Sequence, residues 1–143
     1  HMLLGSARSR SVGGMEAVTV HAAAKTNDVD ALRLLLNARP ELVETYDDNR
    51  RPRQPLYYAA EAGHLDATEL LLDRGADIDN ADESNITALL GACRAGRAGT
   101  VALLLERGAD PTRRDMFRRT TLMLAAYGNE RAGSDHLAVI KLL

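Results

Sequence analysis

The sequence has few aromatic residues and only one cysteine. Its 143 residues include no tryptophan, one phenylalanine and four tyrosines, so small and aliphatic side chains must fill the core. That composition suits short helices that pack closely. The single cysteine excludes an intrachain disulfide and fits a reducing compartment. No apolar run approaches the ~20 residues that span a bilayer, and no apolar signal segment follows Arg8 and Arg10. We therefore expect a cytoplasmic protein without membrane contact.

Charge and motifs argue against several function classes. The formal net charge is −2, and only Lys25 and Lys141 of the 18 basic residues are lysines. A nearly neutral chain has no general attraction to nucleic acid or to a membrane surface. The sequence has no phosphate-binding glycine loop, no paired cysteines, no HExxH and no serine-histidine-aspartate context. We expect no catalytic residue, no cofactor and no nucleic-acid partner.

A period of 33 residues runs through the chain. The same residue types return at this spacing, as in Leu56, Leu89 and Leu122, Gly75 and Gly108, and Asp82 and Asp115. This period predicts stacked helical units, each of which buries its apolar face only against its neighbours. We expect about four units, over residues 15–48, 49–81, 82–114 and 115–143. Residues 1–14 are interpreted as a tag remnant and a flexible leader.

Capping residues and apolar stripes predict where the helices lie. Asp28 and Thr87 are suitable N-caps, Pro55 suits a first helical position, and Pro40 ends a helix. An insertion of about six residues, over 128–135, interrupts the last unit, either as a second binding surface or as a neutral loop. The predicted helices cover residues 15–25, 29–38, 55–62, 65–74, 88–95, 98–107 and 120–127, with a last one from about residue 136.

These units resemble the ankyrin repeat, whose pattern is Thr-Pro-Leu-His, Ala-Ala, Gly-His, a leucine run and Gly-Ala-Asp. The second unit matches with Gln54-Pro55-Leu56-Tyr57, Ala59-Ala60, Gly63-His64, Leu70-Leu71-Leu72 and Gly75-Ala76-Asp77. The third unit keeps Thr87, Ala92-Cys93, Gly96, Leu103-Leu104-Leu105 and Gly108-Ala109-Asp110. The resemblance implies an all-α solenoid of about four repeats joined by hairpin-like loops, the first repeat acting as an N-terminal cap.

The resemblance also implies a function and a binding surface. Ankyrin repeats bind other proteins through the hairpin tips and the exposed side of the first helices. The chain is thus expected to be a non-enzymatic protein-protein interaction module. The positions carried over are, on the tips, Arg50, Arg51, Arg53, Glu83, Ser84, Ile86, Met116, Phe117 and Arg119, and, on the helices, Tyr57, Glu61, Arg94 and Tyr127.

The charges of the tips alternate, and this pattern has two interpretations. The first and last tips are rich in arginine, and the middle one carries Asp79, Asp82 and Glu83. The arginines would suit a partner with an acidic surface, because guanidinium groups match carboxylates. Alternatively, arginine and aspartate of adjacent tips pair with each other for little energy.

Apolar residues at the last tip also leave two alternatives open. Met116 and Phe117 would anchor a partner if exposed. In the other alternative, Phe117 folds back onto Tyr127 or onto the neighbouring repeat.

Three histidines and the cysteine are candidates for chemistry by residue type alone. His21, His64 and His136 occupy family positions where histidine forms local hydrogen bonds, which favours structural roles over metal binding. Cys93 replaces a packed alanine and is interpreted as a small buried residue rather than a nucleophile.

The last residues offer no polar outer face. Ile140, Leu142 and Leu143 predict that the chain is part of a longer array or self-associates through this end. The alternative function is recognition of a target for a larger enzyme or bacterial effector, whose catalytic domain lies outside this chain.

Overall fold

The computed structural model describes residues 20–128 and 134–143. The expected leader, the start of the first helix and most of the insertion lie outside the described residues. The described part of the first helix, α1, covers residues 20–26. It is followed by α2 (Val29–Ala38), a 3-10 helix (Pro40–Glu44), α3 (Pro55–Ala62), α4 (Leu65–Asp73), α5 (Ala88–Ala95), α6 (Ala98–Glu106), α7 (Thr121–Ala126) and α8 (His136–Leu142).

The helices begin where the sequence supplies a cap. The side chains of Asp28 and Thr87 each accept a hydrogen bond from a backbone N–H of the first turn, as predicted. Thr120, which was expected to begin α7, caps that helix in the same way. Pro55 stands at the first position of α3, where its missing N–H has no partner to lose. The 3-10 helix was not predicted, because Pro40 was interpreted only as the end of α2.

The helices form two layers. In one layer α3 packs on α5 and α5 on α7, and in the other α2, α4, α6 and α8 pack in series. Leucines fill the space between the layers, and the largest of those that are fully buried are Leu32, Leu36, Leu71, Leu89, Leu90 and Leu104. This all-helical arrangement of the described residues agrees with the predicted all-α solenoid.

Small residues let the first-layer helices approach each other. Ala59, Ala60, Ala92 and Cys93 are fully buried. Gly91 of α5 faces a neighbouring aromatic ring so closely that an added Cβ would lie 2.6 Å from Tyr57 Cε2. The absence of a side chain on Gly91 therefore makes room for Tyr57, which is buried in the core.

Candidate functional site

An aspartate organises each loop that joins consecutive units. We call these loops tip one (Asp47–Arg53), tip two (Asp82–Ile86) and tip three (Asp115–Arg119). In tip two, Asp82 Oδ1 accepts hydrogen bonds from the backbone N–H groups of Ser84 (2.8 Å) and Ile86 (2.9 Å). The carboxylate therefore holds the loop from inside, while Glu83 and Asn85 of the tip are exposed.

Tip three repeats this construction. Asp115 Oδ1 accepts from the backbone N–H of Phe117 (3.0 Å) and of Arg119 (2.8 Å). Burial alone would raise the pKa of Asp115, but the backbone N–H and the guanidinium of Arg119 outweigh it, so the pKa lies below its usual value. The backbone N–H of Met116 also donates to Ser84 O at 2.9 Å, which joins tip three to tip two.

Tip one is longer than the other two. Five residues, 48–52, separate Asp47 from Arg53, whereas three residues, 83–85, separate Asp82 from Ile86. Asp47 Oδ1 accepts from the Arg53 N–H at 3.0 Å, and its other oxygen accepts from the Tyr58 hydroxyl. Burial acts to raise the pKa of Asp47, yet these hydrogen bonds lower it below its usual value. This cluster was missed, because its members are unremarkable one by one in the sequence.

Arg53 joins two neighbouring tips. Its Nε lies 3.0 Å from Asp82 Oδ2, with the two side chains only 15% and 2% exposed. Its guanidinium carbon lies 4.1 Å from the centre of the Tyr57 ring. Pairing between arginine and aspartate of adjacent tips is therefore present here, so the guanidinium of Arg53 is occupied by the fold.

The corresponding arginine of tip three pairs differently. Positions 53, 86 and 119 are equivalent at the 33-residue period, and the middle one is Ile86. Tip three thus receives no guanidinium from the preceding unit. Instead Arg119 pairs with Asp115 of its own tip, at 2.6 Å, with side chains 43% and 0% exposed.

Burial corrects the prediction for two residues. Tyr57 and Ile86 are buried in the core and do not line the accessible surface. Burial raises the pKa of Tyr57, whose hydroxyl accepts a hydrogen bond from Arg94 Nη2 at 2.7 Å. Tyr57 is buried because Gly91 gives its ring space, a contact between residues of different units that one unit's sequence does not reveal.

The other predicted residues remain at least partly accessible. Some are partly buried, namely Arg53, Glu61, Ser84, Arg94 and Arg119, and the others are exposed, namely Arg50, Arg51, Glu83, Met116, Phe117 and Tyr127. Phe117 is 69% exposed and Tyr127 is 87% exposed, so Phe117 does not fold onto Tyr127. The Phe117 ring instead lies 5.1 Å from the guanidinium carbon of Arg119. Exposed Tyr46, which sequence reasoning missed, lies beside Pro52, Ala81 and Glu83 around an open depression between tips one and two.

The histidines and the cysteine have structural surroundings. Ring nitrogens of His21, His64 and His136 hydrogen-bond the carbonyl oxygens of Thr45 (2.7 Å), Lys25 (2.9 Å) and Ala125 (2.9 Å). Cys93 is fully buried, and burial raises the pKa of its thiol to about 12. Within residues 20–128 and 134–143, no group of three metal-ligating side chains comes together.

The outer face of α7 is more accessible than the equivalent faces before it. Leu122 is exposed, whereas Leu56 and Leu89 at the same repeat position are buried. Met123 and Leu137 are exposed as well.

No helix in the described part of the chain is long and apolar enough to cross a membrane.

Comparisons with known proteins find similar sequences within longer proteins. The chain is similar to probable E3 ubiquitin-protein ligase XBOS33 of Oryza sativa subsp. japonica, with 36% identity over 91 residues, which is 64% of this chain and 17% of that protein. It is also similar to inversin of Gallus gallus, with 40% identity over 77 residues, or 54% of this chain and 7% of that protein. The chain thus spans less than a fifth of either relative. Residues 20–115 match the family model of ankyrin repeats in three copies, so the chain belongs to the ankyrin repeat family.

Proposed function

We propose that this chain is a non-enzymatic protein-interaction module whose tips and first-helix layer bind a partner with an acidic surface. The exposure of Phe117 on a loop that Asp115 holds from inside carries the proposal. Exposed apolar groups that the fold does not use are typical of contact sites. Arg50 and Arg51 of tip one are also exposed and form no ion pair with another described residue. The buried lone Cys93 is compatible with a cytoplasmic location.

Rigid loops give this surface its mechanism. Internal hydrogen bonds to Asp82 and Asp115 set the backbone before a partner arrives. Little conformational entropy is then lost on binding, so contact energy is available for affinity. Each tip presents a different set of side chains on a similar loop backbone. This variation allows specific binding without a deep cavity.

The experiment compares partner capture by three forms of the chain. Quantitative mass spectrometry would measure proteins captured by the unmodified chain, by a tip variant (Arg50→Glu, Arg51→Glu, Phe117→Ala) and by a control (Arg33→Glu, Lys141→Glu, Leu34→Ala). The control changes similar residue types on α2 and α8, and Leu34 is 71% exposed. We expect a reproducible set of proteins that the tip variant loses and the control keeps. Equal capture by the tip variant would contradict the proposal.

A second candidate function is target recognition within a larger enzyme. Similarity to the rice relative, a probable E3 ubiquitin-protein ligase, favours it, although the match covers only 17% of that protein. In this case the module would present a target to a catalytic domain encoded elsewhere in the same gene. Reading the gene on both sides of the present sequence decides it. A reading frame without any catalytic domain would exclude this candidate.

The exposed face of α7 and α8 is a further proposed contact surface, for a second copy of the chain. The equivalent face of each preceding unit is covered by the next unit, which shows how suitable its apolar residues are for burial. Light scattering on the purified chain tests this surface. A dimer that becomes a monomer in Met123→Glu would support self-association, and a monomer at all concentrations would overturn it.

A further inference from the structure

Tip three contains a residue that its backbone does not favour. Arg118 has φ of 62°, in the left-handed region. The equivalent residue of tip two is Asn85, with φ of 58°, and Asn27 is the other described non-glycine residue with positive φ. Asparagine tolerates this conformation, whereas a long side chain with an ordinary Cβ does so at a cost. Since the fold would accept asparagine here, arginine needs another reason.

Arg118 does not stabilise the loop through its charge. Its side chain is exposed and forms no ion pair within the described residues. The nearest carboxylate in the loop, Asp115, is fully buried and already bound to Arg119. Strained residues of this kind concentrate at functional sites. The geometry therefore assigns the Arg118 guanidinium to a ligand outside the chain.

The neighbouring side chains indicate the chemistry of that ligand. Arg114 is exposed and without an ion pair among the described residues, and Arg113 donates only to the carbonyl of Asp79, at 3.3 Å. Two exposed cations, Arg114 and Arg118, thus flank the exposed residues Met116 and Phe117 along the chain. Guanidinium groups bind carboxylates with two parallel hydrogen bonds. A matching ligand has carboxylates on both sides of an apolar side chain.

We propose that tip three anchors an acidic protein segment that places one apolar side chain on Met116 and Phe117 and carboxylates on Arg114 and Arg118. The proposal rests on the proposed function and narrows it to one loop and one ligand chemistry. Nucleic acid fits less well, because tip two, hydrogen-bonded to tip three through Met116 and Ser84, presents the exposed carboxylate of Glu83. An extended phosphate backbone would meet that charge, whereas a short segment on tip three would not.

Selection from a random peptide display library, followed by fluorescence anisotropy, tests the proposal. We expect the peptides enriched by the unmodified chain to combine several Asp or Glu residues with one large apolar residue. Their affinity should fall about tenfold in Phe117→Ala and several-fold in Arg118→Asn, and should decrease as salt rises through about 0.1 M. The matched controls Leu34→Ala and Arg33→Asn should bind like the unmodified chain.

Arg118→Asn also gives a second readout that a structural role for Arg118 would not produce. Because asparagine suits the left-handed backbone, this variant should melt at a higher temperature while binding more weakly. A lower melting temperature would overturn the proposed reason for Arg118.

Other outcomes separate this inference from the proposed function. Enriched peptides that depend on Arg50 and Arg51 but not on tip three would overturn the inference and leave the interaction module intact. A single-stranded oligonucleotide that binds more tightly than the peptides, and loses binding in Arg118→Asn, would overturn the protein ligand. No enrichment by any form of the chain would overturn both proposals.

Discussion

Tips two and three share one pattern of backbone hydrogen bonds but differ in the ion pair that the aspartate forms. Each is held by one aspartate that accepts two backbone N–H groups at the same spacing. Asp82 is bound by Arg53 of the preceding unit, whereas Asp115 is bound by Arg119 of its own tip. The ion pair of tip two therefore connects two units, whereas the ion pair of tip three stays within one tip. The same loop construction thus supports the stacking of units where its ion pair crosses between them, and leaves exposed side chains available for the proposed binding where the pair stays within the tip.

The largest expected effect is a difference between the two aspartates. Asp82→Ala should destabilise the chain by about 3 kcal/mol, because it leaves the largely buried Arg53 without its partner and the loop without its anchor. Asp115→Ala should cost about 2 kcal/mol, since Arg119 is 43% exposed and turns to solvent. Urea unfolding followed by circular dichroism measures both. Equal losses would show that the pair across units adds nothing to the loop anchor.

The loss of stability at acid pH should depend more on the aspartates of tips one and three than on other carboxyl groups. The folded-state pKa values of Asp47 and Asp115 lie below their usual value. Their contribution is therefore present above the unfolded pKa of about 3.9 and is lost as pH falls through the lower folded value. We expect stability to decrease below about pH 4.5, and less steeply in Asp115→Asn than in the unmodified chain. Urea midpoints between neutral and acid pH check this, with the exposed Asp30→Asn as control. An unchanged slope in Asp115→Asn would contradict it.

Features that depend on residues close together in the sequence were predicted better than features that depend on contacts between units. Asp28 and Thr87 cap their helices as predicted, since a cap needs only residues of the next turn. Both ends of α2, α3 and α5 also agree, whereas α4 and α6 end one residue earlier than predicted. These helices were predictable because the apolar period and the glycine turns are local signals.

Features that join different units were not predictable in the same way. The ion pair of Arg53 with Asp82 joins residues of different units that are 29 positions apart in the sequence. The burial of Tyr57 depends on Gly91, in a different helix. Family positions therefore placed both residues on the binding surface, although their side chains support the stack.

Exchange of the left-handed residue between the tips should have a smaller effect, opposite in sign at the two positions. Arg118→Asn should stabilise the chain by about 0.5–1 kcal/mol, and Asn85→Arg should destabilise it by a similar amount. The two backbones have nearly equal φ, 62° and 58°, so the positions serve as controls for each other. Thermal unfolding measures both changes. Destabilisation by Arg118→Asn would mean that Arg118 supports the tip through its side chain, and the distinction between stacking and binding loops would fail.

The smallest effect on stability is expected at the residue that matters most for the proposed binding. Phe117 is 69% exposed and its ring contacts the guanidinium of Arg119, an exposed cation–π contact worth about 0.5–1 kcal/mol at most. Phe117→Ala should therefore change the free energy of unfolding by less than about 1 kcal/mol. Ile86→Ala in tip two is the contrast, because Ile86 is buried, and it should cost about 2–4 kcal/mol. Urea unfolding of the two variants side by side measures this difference. If Phe117→Ala were as destabilising as Ile86→Ala, the aromatic ring would belong to the core of tip three and could not be assigned to a partner.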